Sequence, residues 1–328
     1  MQAIVITQPG PPDVLKLQDI PAPQPDPNEV LVNVHATALN RADLLQRRGQ
    51  YPPPPGVRGD IPGLEFAGEV SEVGSKVTNF KPGDRVMGLL PGAGYAEQIV
   101  THERLAISIP ANLSFEEAAA IPEVFITAFD ALFLQLDLKL GERLLIHAVG
   151  SGVGIAALQL AKAAGATVFG TAGSDDKLAK GKALGLDVGI NYKTQDFQEI
   201  VLTETRGEGV HAILDMVGAN YWEKNLACLA NKSRIILVGL LGGAKVEANL
   251  SAIMRKRIQV IGTVLRGRSL EEKMALTTEF QKHVLPLLES GKIKPVIDNI
   301  FALEQAADAH AYMEANQNFG KIVLRIKP

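Results

Sequence analysis

The most specific chemical signal in the sequence is a turn made of small residues. It reads Gly150-Ser151-Gly152-Val153-Gly154, and it joins an apolar strand-like segment (143–148) to a segment with helical spacing (152–165). Small residues let a ligand approach the backbone, and the first turn of a helix offers free N–H groups and a positive dipole end. The pattern therefore predicts a βαβ unit that binds the pyrophosphate of a dinucleotide, with a ligand-free, closely packed corner as the alternative.

The segment after the next strand indicates which dinucleotide would bind. NAD sites usually carry an acidic residue about 20 positions after the glycine turn, where it accepts hydrogen bonds from the ribose. Here Gly173 and Ser174 end the strand and leave room for a 2′-phosphate, and Lys177 can supply charge. Asp175-Asp176 could serve as the ribose acid or simply begin a helix, and Lys177 could be an ordinary solvated residue. The pattern favours NADP(H), with Tyr192 available as a hydroxyl donor or ring wall.

Two polar positions in the first third of the chain could shape a pocket for a second substrate. Asn40 follows an apolar strand-like run (30–39), and Tyr51 precedes four prolines (52–55) that stiffen its loop. A preset aromatic ring can stack on a flat acceptor, and its hydroxyl can donate a hydrogen bond. The alternative is a surface tyrosine beside a proline-rich loop.

The sequence contains no spacing of histidine and cysteine residues that is typical of a metal site. The six histidines (35, 102, 147, 211, 283 and 310) are scattered, and Cys228 is the only cysteine, so only a site built from distant ligands would be possible. Without a metal to polarise an alkoxide, the easier reaction is hydride delivery from a reduced nicotinamide to an electrophilic acceptor such as a quinone or conjugated enone.

The secondary-structure elements expected to carry these residues follow two different patterns along the chain. Short β-rich runs separated by proline and glycine turns precede residue 110, and a helical pattern over 113–134 follows, starting at Ser114. From residue 141 apolar strand-like segments alternate with helical ones, which indicates a parallel sheet covered by helices on both faces. The fold class is therefore α/β with a second, mostly antiparallel part.

Composition limits the partners. The formal net charge of −3 argues against nucleic acid or an anionic membrane as the main partner. The short basic groups at 255–257 and at Arg266 and Arg268 are interpreted as a solvated face or part of a cofactor cleft. A lone cysteine excludes an intrachain disulfide framework, and with no targeting pattern at the N-terminus we expect a soluble, cytoplasmic protein.

Over essentially its full length the chain resembles the quinone oxidoreductase branch of the medium-chain dehydrogenase/reductase superfamily, and most closely the tumour-suppressor-inducible quinone oxidoreductase group. The resemblance rests on ALNRADLLQRRGQY (38–51), PGLEFAG (62–68), GDRVMGLLPGAGYAE (83–97), AAAIPEVFITAF (118–129), LIHAVGSGVG (145–154), TAGSDDK (171–177), YWEKN (221–225) and MEANQNFGKIVL (313–324).

This resemblance implies a GroES-like, mostly antiparallel catalytic domain (1–120 and 266–328) around a Rossmann NADP(H)-binding domain (121–265) with a doubly wound parallel sheet. Where zinc enzymes of the superfamily carry a cysteine ligand this chain has Asn40, and where they carry a histidine it has Leu64 followed by Glu65. The resemblance therefore implies a metal-free site.

The resemblance also implies roles for individual residues. Asn40 and Tyr51 would flank the acceptor as the catalytic pair, with Asn40 also near the cofactor. The other cofactor contacts would be Ser151, Gly152 and Val153 at the pyrophosphate; Gly173, Ser174, Lys177 and Tyr192 at the ribose and 2′-phosphate; Thr127, Val217, Leu240 and Leu265 on the path to the nicotinamide; and Asn316 closing the cleft.

The expected function is that of a zinc-independent, NADPH-dependent quinone reductase that prefers ortho-quinones. No dedicated general acid is assigned, because either Tyr51 or water could protonate the product. The alternatives are an NADPH-dependent enone or enal reductase and a cofactor-binding sensor with negligible turnover. The resemblance further implies a homodimer formed through edge strands of the Rossmann sheet, for which the segments 234–240 and 259–265 are the candidates.

Overall fold

The computed structural model describes residues 1–327, which separate into two compact units. Met1–Ile126 and the chain from Leu265 onward form the first unit, and Thr127–Val264 forms the second. Residues 121–126 and Leu265 thus group with the first unit, whereas the sequence analysis assigned them to the dinucleotide-binding domain.

The amino-terminal part of the first unit is rich in β-structure. Its elements are β1 (Gln2–Ile6), β2 (Leu15–Asp19), β3 (Glu29–Ala38), α1 (Arg41–Arg47), β4 (Glu65–Val73), β5 (Arg85–Leu89), β6 (Gln98–His102), β7 (Ala106–Ser108) and α2 (Phe115–Ala119). The boundary between the units falls within the next helix, α3 (Pro122–Phe129). Val30, Val32 and Val34 alternate along β3 and are fully buried with Phe66 and Val86, as the period of two predicts.

The continuous helical pattern predicted over 113–134 is broken in the structure. Ser114 caps α2, because its hydroxyl accepts the Glu117 amide at 3.2 Å and the Glu117 carboxylate accepts the Ser114 amide at 2.9 Å. Pro122 lacks an N–H group and therefore begins a new helix instead of continuing the old one. A π-helical segment, Asp130–Gln135, follows α3.

The second unit is a parallel sheet with helical connections. Its elements are β8 (Arg143–Ile146), α4 (Gly152–Ala163), β9 (Thr167–Ala172), α5 (Asp175–Ala183), β10 (Val188–Asn191), α6 (Phe197–Glu204), β11 (Val210–Asp215), α7 (Trp222–Cys228), β12 (Leu229–Leu237), α8 (Leu250–Lys256) and β13 (Gln259–Gly262). The strand order is β10-β9-β8-β11-β12-β13 with every pair parallel. This is the doubly wound order of a Rossmann fold, whose direction reverses between β8 and β11.

The carboxyl-terminal elements complete the sheet of the first unit. They are α9 (Leu270–His283), α10 (Leu285–Glu289), β14 (Ile297–Ala302), α11 (Ala306–Glu314) and β15 (Lys321–Arg325). The sheet order is β14-β15-β3-β4-β5-β7, with β6 also paired to β3, and every pair except β14–β15 is antiparallel. No helix within residues 1–327 is long and apolar enough to cross a membrane.

Candidate cofactor and acceptor sites

The glycine turn has the geometry of an anion cradle. Ser151 caps α4, with its hydroxyl accepting the Gly154 amide at 3.1 Å. A Cβ on Gly154 would lie 2.4 Å from the Ala148 carbonyl oxygen, so only glycine allows the helix to start this close to the strand. Gly152 and Val153 are partly exposed residues at the start of the helix, where backbone amides have no intrahelical partner. The turn thus offers N–H donors that fit a pyrophosphate.

A buried hydrogen-bond network connects the strand ends beneath this turn. His147 Nε2 lies 2.7 Å from Asn225 Oδ1, and Asn225 donates its amide to Asp215 Oδ2 at 3.0 Å. His147 Nδ1 lies 3.1 Å from the Thr171 hydroxyl, and Asp215 Oδ1 accepts the Val217 amide at 2.7 Å. Burial lowers the pKa of His147, which keeps the ring neutral. Sequence reasoning considered His147 only as one of six scattered histidines and did not detect that it links three strands.

Four residues predicted to surround the ribose and its phosphate gather after β9. The Tyr192 hydroxyl would lie 2.6 Å from a Cβ on Gly173, so glycine makes room for the phenol. Ser174 caps α5 and accepts the Lys177 amide at 3.4 Å, which places Lys177 in the first turn of that helix. Lys177 therefore lies in the first turn of α5, and Tyr192 directly follows β10.

Asp175 and Asp176, either of which could have been the acid that binds the ribose of NAD, instead contact neighbouring residues of the protein. Asp175 Oδ1 accepts a hydrogen bond from Asn191 Nδ2 at 2.8 Å, and Asp176 forms an ion pair with Lys180 at 2.9 Å, one turn along the same helix. Both acids also lie in the first turn of α5, where a carboxylate is favoured by the helix dipole. These contacts favour the interpretation of Asp175-Asp176 as a helix start.

The loops after β11 and β12 pack on each other and carry two further candidates. The Gly242 amide donates to the Val217 carbonyl at 2.7 Å, and a Cβ on Gly218 would meet the Leu240 side chain at 2.8 Å. Leu240 itself is half exposed. Thr127 lies in the second half of α3.

In the first unit Asn40 is held by a buried ion pair. Lys321 Nζ donates to Asn40 Oδ1, Glu65 Oε1 and the Leu39 carbonyl, each at 2.7 Å, and Asn40 Nδ2 donates to Glu65 Oε1 at 2.8 Å. The Lys321 and Glu65 side chains are 4% and 0% exposed. The Lys321 ammonium group therefore already binds the Asn40 and Glu65 oxygens that a metal ion at this place would need as ligands. Sequence reasoning missed Lys321, although a lysine within the apolar strand KIVLR was a signal.

Two more carboxyl groups lie beside this ion pair. Asp43 accepts the Asn40 and Gly63 amides at 2.7 and 3.0 Å, and burial raises the pKa of Asp43 to about 6. The Glu123 amide donates to Glu65 Oε2 at 2.8 Å, and burial together with the Glu65 charge raises the pKa of Glu123 to about 8. Glu123 therefore keeps its proton at neutral pH, whereas Asp43 is mostly ionised.

Tyr51 is a fixed, partly buried residue. The guanidinium of Arg266 lies 4.8 Å from the centre of the Tyr51 ring and donates to the Tyr51 carbonyl at 3.2 Å. Desolvation, and then the nearby Glu123 charge, raise the pKa of the phenol. These contacts favour the pocket interpretation of Tyr51 over that of a surface residue. The interpretation of Arg266 as part of a solvated face is wrong, because only 7% of this residue is exposed.

The remaining two candidates of the first unit differ in their surroundings. Asn316 is exposed, and its backbone adopts the left-handed conformation with a φ of 55°. Its Oδ1 accepts a hydrogen bond at 2.6 Å from Arg41, the residue that follows Asn40 in the chain. Leu265 is buried, and its carbonyl accepts the Arg268 amide at 3.1 Å. Across residues 1–327 no group of three or more His, Cys, Asp or Glu side chains is arranged to hold a metal ion.

A doubly wound sheet with a glycine turn, together with a β-rich unit completed by the carboxyl terminus, defines a two-domain oxidoreductase of the medium-chain dehydrogenase/reductase type. Residues 26–123 match the family model described as the alcohol dehydrogenase GroES-like domain, and residues 152–288 match that of the zinc-binding dehydrogenase. The fold class inferred from the sequence is confirmed.

Comparison with individual proteins narrows this class. Rat quinone oxidoreductase is 34% identical over 99% of this chain and 97% of its own length. The structure of Escherichia coli quinone oxidoreductase complexed with NADPH superposes with a TM-score of 0.91, at 31% identity over 99% of this chain and 100% of that one. The CurK enoyl reductase has a TM-score of 0.89 at 30% identity, covering 100% and 99% of the two chains. The chain belongs to the quinone oxidoreductase family and is an oxidoreductase, as its sequence motifs indicate.

Proposed function

We propose that this protein is a zinc-independent, NADPH-dependent reductase of quinones. The observation that carries the proposal is the Tyr51 ring, which Arg266 holds in place in a member of the quinone oxidoreductase family. A fixed aromatic face suits a flat acceptor at low entropic cost. The preference for ortho-quinones rests on the motifs shared with the tumour-suppressor-inducible group.

The corner after β9 supports NADPH as the cofactor. Gly173 and Ser174 leave space, Lys177 and Tyr192 offer a charge and a hydroxyl, and the competing aspartates are engaged elsewhere. When bound, the cofactor supplies the hydride. The α4 amides would hold its pyrophosphate, and Lys177 with Tyr192 would hold its 2′-phosphate.

The donor set around Asn40 supports zinc independence. Asn40 and Glu65 direct their oxygens to the Lys321 ammonium, and a cation held there would repel a second one. Asn40, at the position of a zinc-ligating cysteine, and Glu65, which follows the position of the histidine ligand, thus both bind an internal ammonium group.

A second candidate function is the reduction of conjugated enones or enals. The similarity to the CurK enoyl reductase favours it, because that neighbour shares the whole fold. A cofactor-binding sensor would have the same dinucleotide site but negligible turnover. Substrate-dependent rates separate these functions from quinone reduction.

We also propose a homodimer that forms through β13. This strand is the last in its sheet and pairs only with β12 among the described residues, so one edge is open to a second copy. Val260 on this strand is 43% exposed, and Leu250 and Met254 on the preceding helix are more than 70% exposed. The other candidate segment, 234–240, contains the end of β12, which lies inside the sheet and cannot form this edge.

A reducing, cytoplasmic compartment agrees with the single thiol. Cys228 is buried, and burial raises its pKa to about 12, so that its thiol is protonated and unreactive.

The test is the rate of NADPH oxidation by the purified protein with 1,2-naphthoquinone, 1,4-naphthoquinone and 2-cyclohexenone as acceptors, each repeated with NADH. We expect turnover that requires a quinone, is faster with NADPH, and is fastest with the ortho isomer. Faster turnover of the enone would favour the second candidate function. Tight NADPH binding without turnover of any acceptor would indicate the sensor.

A further inference from the structure

Arg266 is a buried cation whose charge its own hydrogen bonds do not neutralise. Its Nε donates to the Pro91 carbonyl at 2.7 Å, its Nη1 to the Tyr51 carbonyl at 3.2 Å and its Nη2 to Gln46 Oε1 at 2.8 Å. All three acceptors are neutral oxygens. Burying a charge costs free energy unless an opposite charge compensates it. Packing alone therefore does not explain why this position holds a buried guanidinium group.

The same contacts fix the loop that carries Tyr51. The three acceptors belong to α1, to the proline-rich loop and to the turn at Pro91. Gln46 in turn donates to the Gly59 and Ile61 carbonyls at 3.1 Å each, at the far end of the proline-rich loop. Arg266 and Gln46 thus hold both ends of this loop, and the Tyr51 ring lies against the guanidinium.

The charges around Arg266 leave an excess of positive charge at neutral pH. The Lys273 ammonium donates to the Arg266 carbonyl at 2.8 Å, and the charged neighbours of Arg266 include Asp43 and Glu123. Glu123 keeps its proton up to about pH 8, so it does not offset the guanidinium below that pH. Asp43 is ionised but lies within electrostatic range of Lys321, which also pairs with Glu65. Around Arg266 itself, two cations, the guanidinium and the Lys273 ammonium, therefore face one ionised carboxylate, that of Asp43.

A quinone becomes an anion during its reduction. Addition of a hydride from the reduced nicotinamide brings two electrons and one proton to the quinone, which leaves a monoanionic quinolate; one further proton from water gives the neutral quinol. A positive charge beside the acceptor favours the quinolate over the quinone, and so favours hydride addition.

We propose that Arg266 positions Tyr51 and makes the acceptor site selective for ligands that carry negative charge on oxygen. This inference rests on the proposed function, because it takes Tyr51 as a wall of the acceptor site. Arg266 holds the Tyr51 ring in position, and its positive charge stabilises the bound anion.

The test uses 4-nitrocatechol, an ortho-quinol analogue that ionises near neutral pH with a change in visible absorbance, and the cofactor-free protein. We expect the wild-type protein to bind the monoanion about tenfold more tightly than the neutral form, which lowers the apparent pKa of the bound ligand by about one unit. Arg266→Met should lose this preference. Arg266→Lys keeps the charge but not the three-way hydrogen bonding, so it should retain the preference and bind more weakly.

Arg268→Met is the matched control, since it removes a more exposed arginine two positions away, and it should leave both values unchanged. Thermal unfolding of every variant identifies any that is not folded, in which case Arg266→Lys carries the comparison. Glu123→Gln should extend the monoanion preference above pH 8, because the carboxylate that would offset Arg266 is then missing.

The outcomes separate this inference from the proposed function. If Tyr51→Ala weakens binding but Arg266→Met and wild type show the same apparent pKa of bound 4-nitrocatechol, the inference is overturned and the acceptor site stands. If 4-nitrocatechol does not bind, or Tyr51→Ala binds it as well as wild type does, the acceptor site assigned to Tyr51 is wrong and the inference fails with it.

Discussion

At the scale of single residues, Glu123 is the group whose protonation the fold changes most clearly. Its carboxyl lies in surroundings that disfavour a charge, beside the buried Glu65 carboxylate, and its pKa rises to about 8 from an ordinary value near 4.5. The folded protein therefore binds a proton more tightly than the unfolded chain does. The resulting stability is fully present below about pH 4.5 and is lost as the pH rises through 8.

Glu123→Gln should remove this pH dependence. In the wild-type protein the group contributes a fall in the free energy of unfolding of up to about 1.4 kcal/mol per pH unit between pH 5 and 8. The amide variant should show a flatter profile and be the more stable of the two at pH 9. Urea unfolding at several pH values measures both. Glu223→Gln, which changes an exposed glutamate on α7, is the control, and equal slopes for Glu123→Gln and wild type would contradict the prediction.

In the proposed NADPH site, Lys177 is the residue that would decide the cofactor preference. Lys177→Ala should weaken NADPH binding at least tenfold and change NADH binding by less than twofold, because only NADPH carries the 2′-phosphate that a charged donor would bind. Fluorescence titration of both cofactors measures the effect. Lys180→Ala, one turn along α5, removes a lysine that pairs with Asp176 and should change neither affinity. Equal losses for NADPH and NADH in Lys177→Ala would refute the assignment.

At the scale of elements, the proposed pyrophosphate site depends on the junction of β8 and α4. The helix begins so close to the strand that the Gly154 Cα faces the Ala148 carbonyl and the Val149 backbone. The strands on either side are held by the His147 network, so the backbone has little freedom to move away.

Gly154→Ala should therefore weaken NADPH and NADH equally, by tenfold or more, since the added Cβ would lie 2.4 Å from a carbonyl oxygen and must displace the turn. Isothermal titration with each cofactor measures this. Gly262→Ala is the matched control, because a Cβ there meets nothing within 4 Å. Unchanged binding in Gly154→Ala would show that the turn does not contact the pyrophosphate.

At the scale of the whole molecule, the open edge of β13 predicts association. Val260→Glu places a charge on the exposed edge strand and should convert a dimer into a monomer of 35.1 kDa. Light scattering after size exclusion reports the mass. Leu140→Glu is the control, since Leu140 is 85% exposed but lies before β8 and away from this edge in the sequence. A monomeric wild-type protein would refute the dimer.

Much of the fold could be predicted from the sequence because its signals are local. The alternation in β3, the glycine turn before α4 and the cap of α5 at Ser174 each depend on residues within a few positions of one another. The exception is the segment 113–134, whose apolar spacing suggested one helix. The backbone chemistry of Pro122 overrides that spacing and starts α3.

The candidate sites show the same division. Sequence alone determined the α/β class, the position of the glycine turn before α4 and the placing of Gly173, Ser174 and Lys177 at the start of α5, since strand, turn and helix form from neighbouring residues. Only the tertiary structure decided that Lys321 binds Asn40 across 281 positions and that Arg266 binds Gln46 across 220. From sequence alone, a charged side chain is expected to lie in solvent, because most charged residues are exposed. Whether it is buried depends on partners that only the folded chain brings within hydrogen-bond distance.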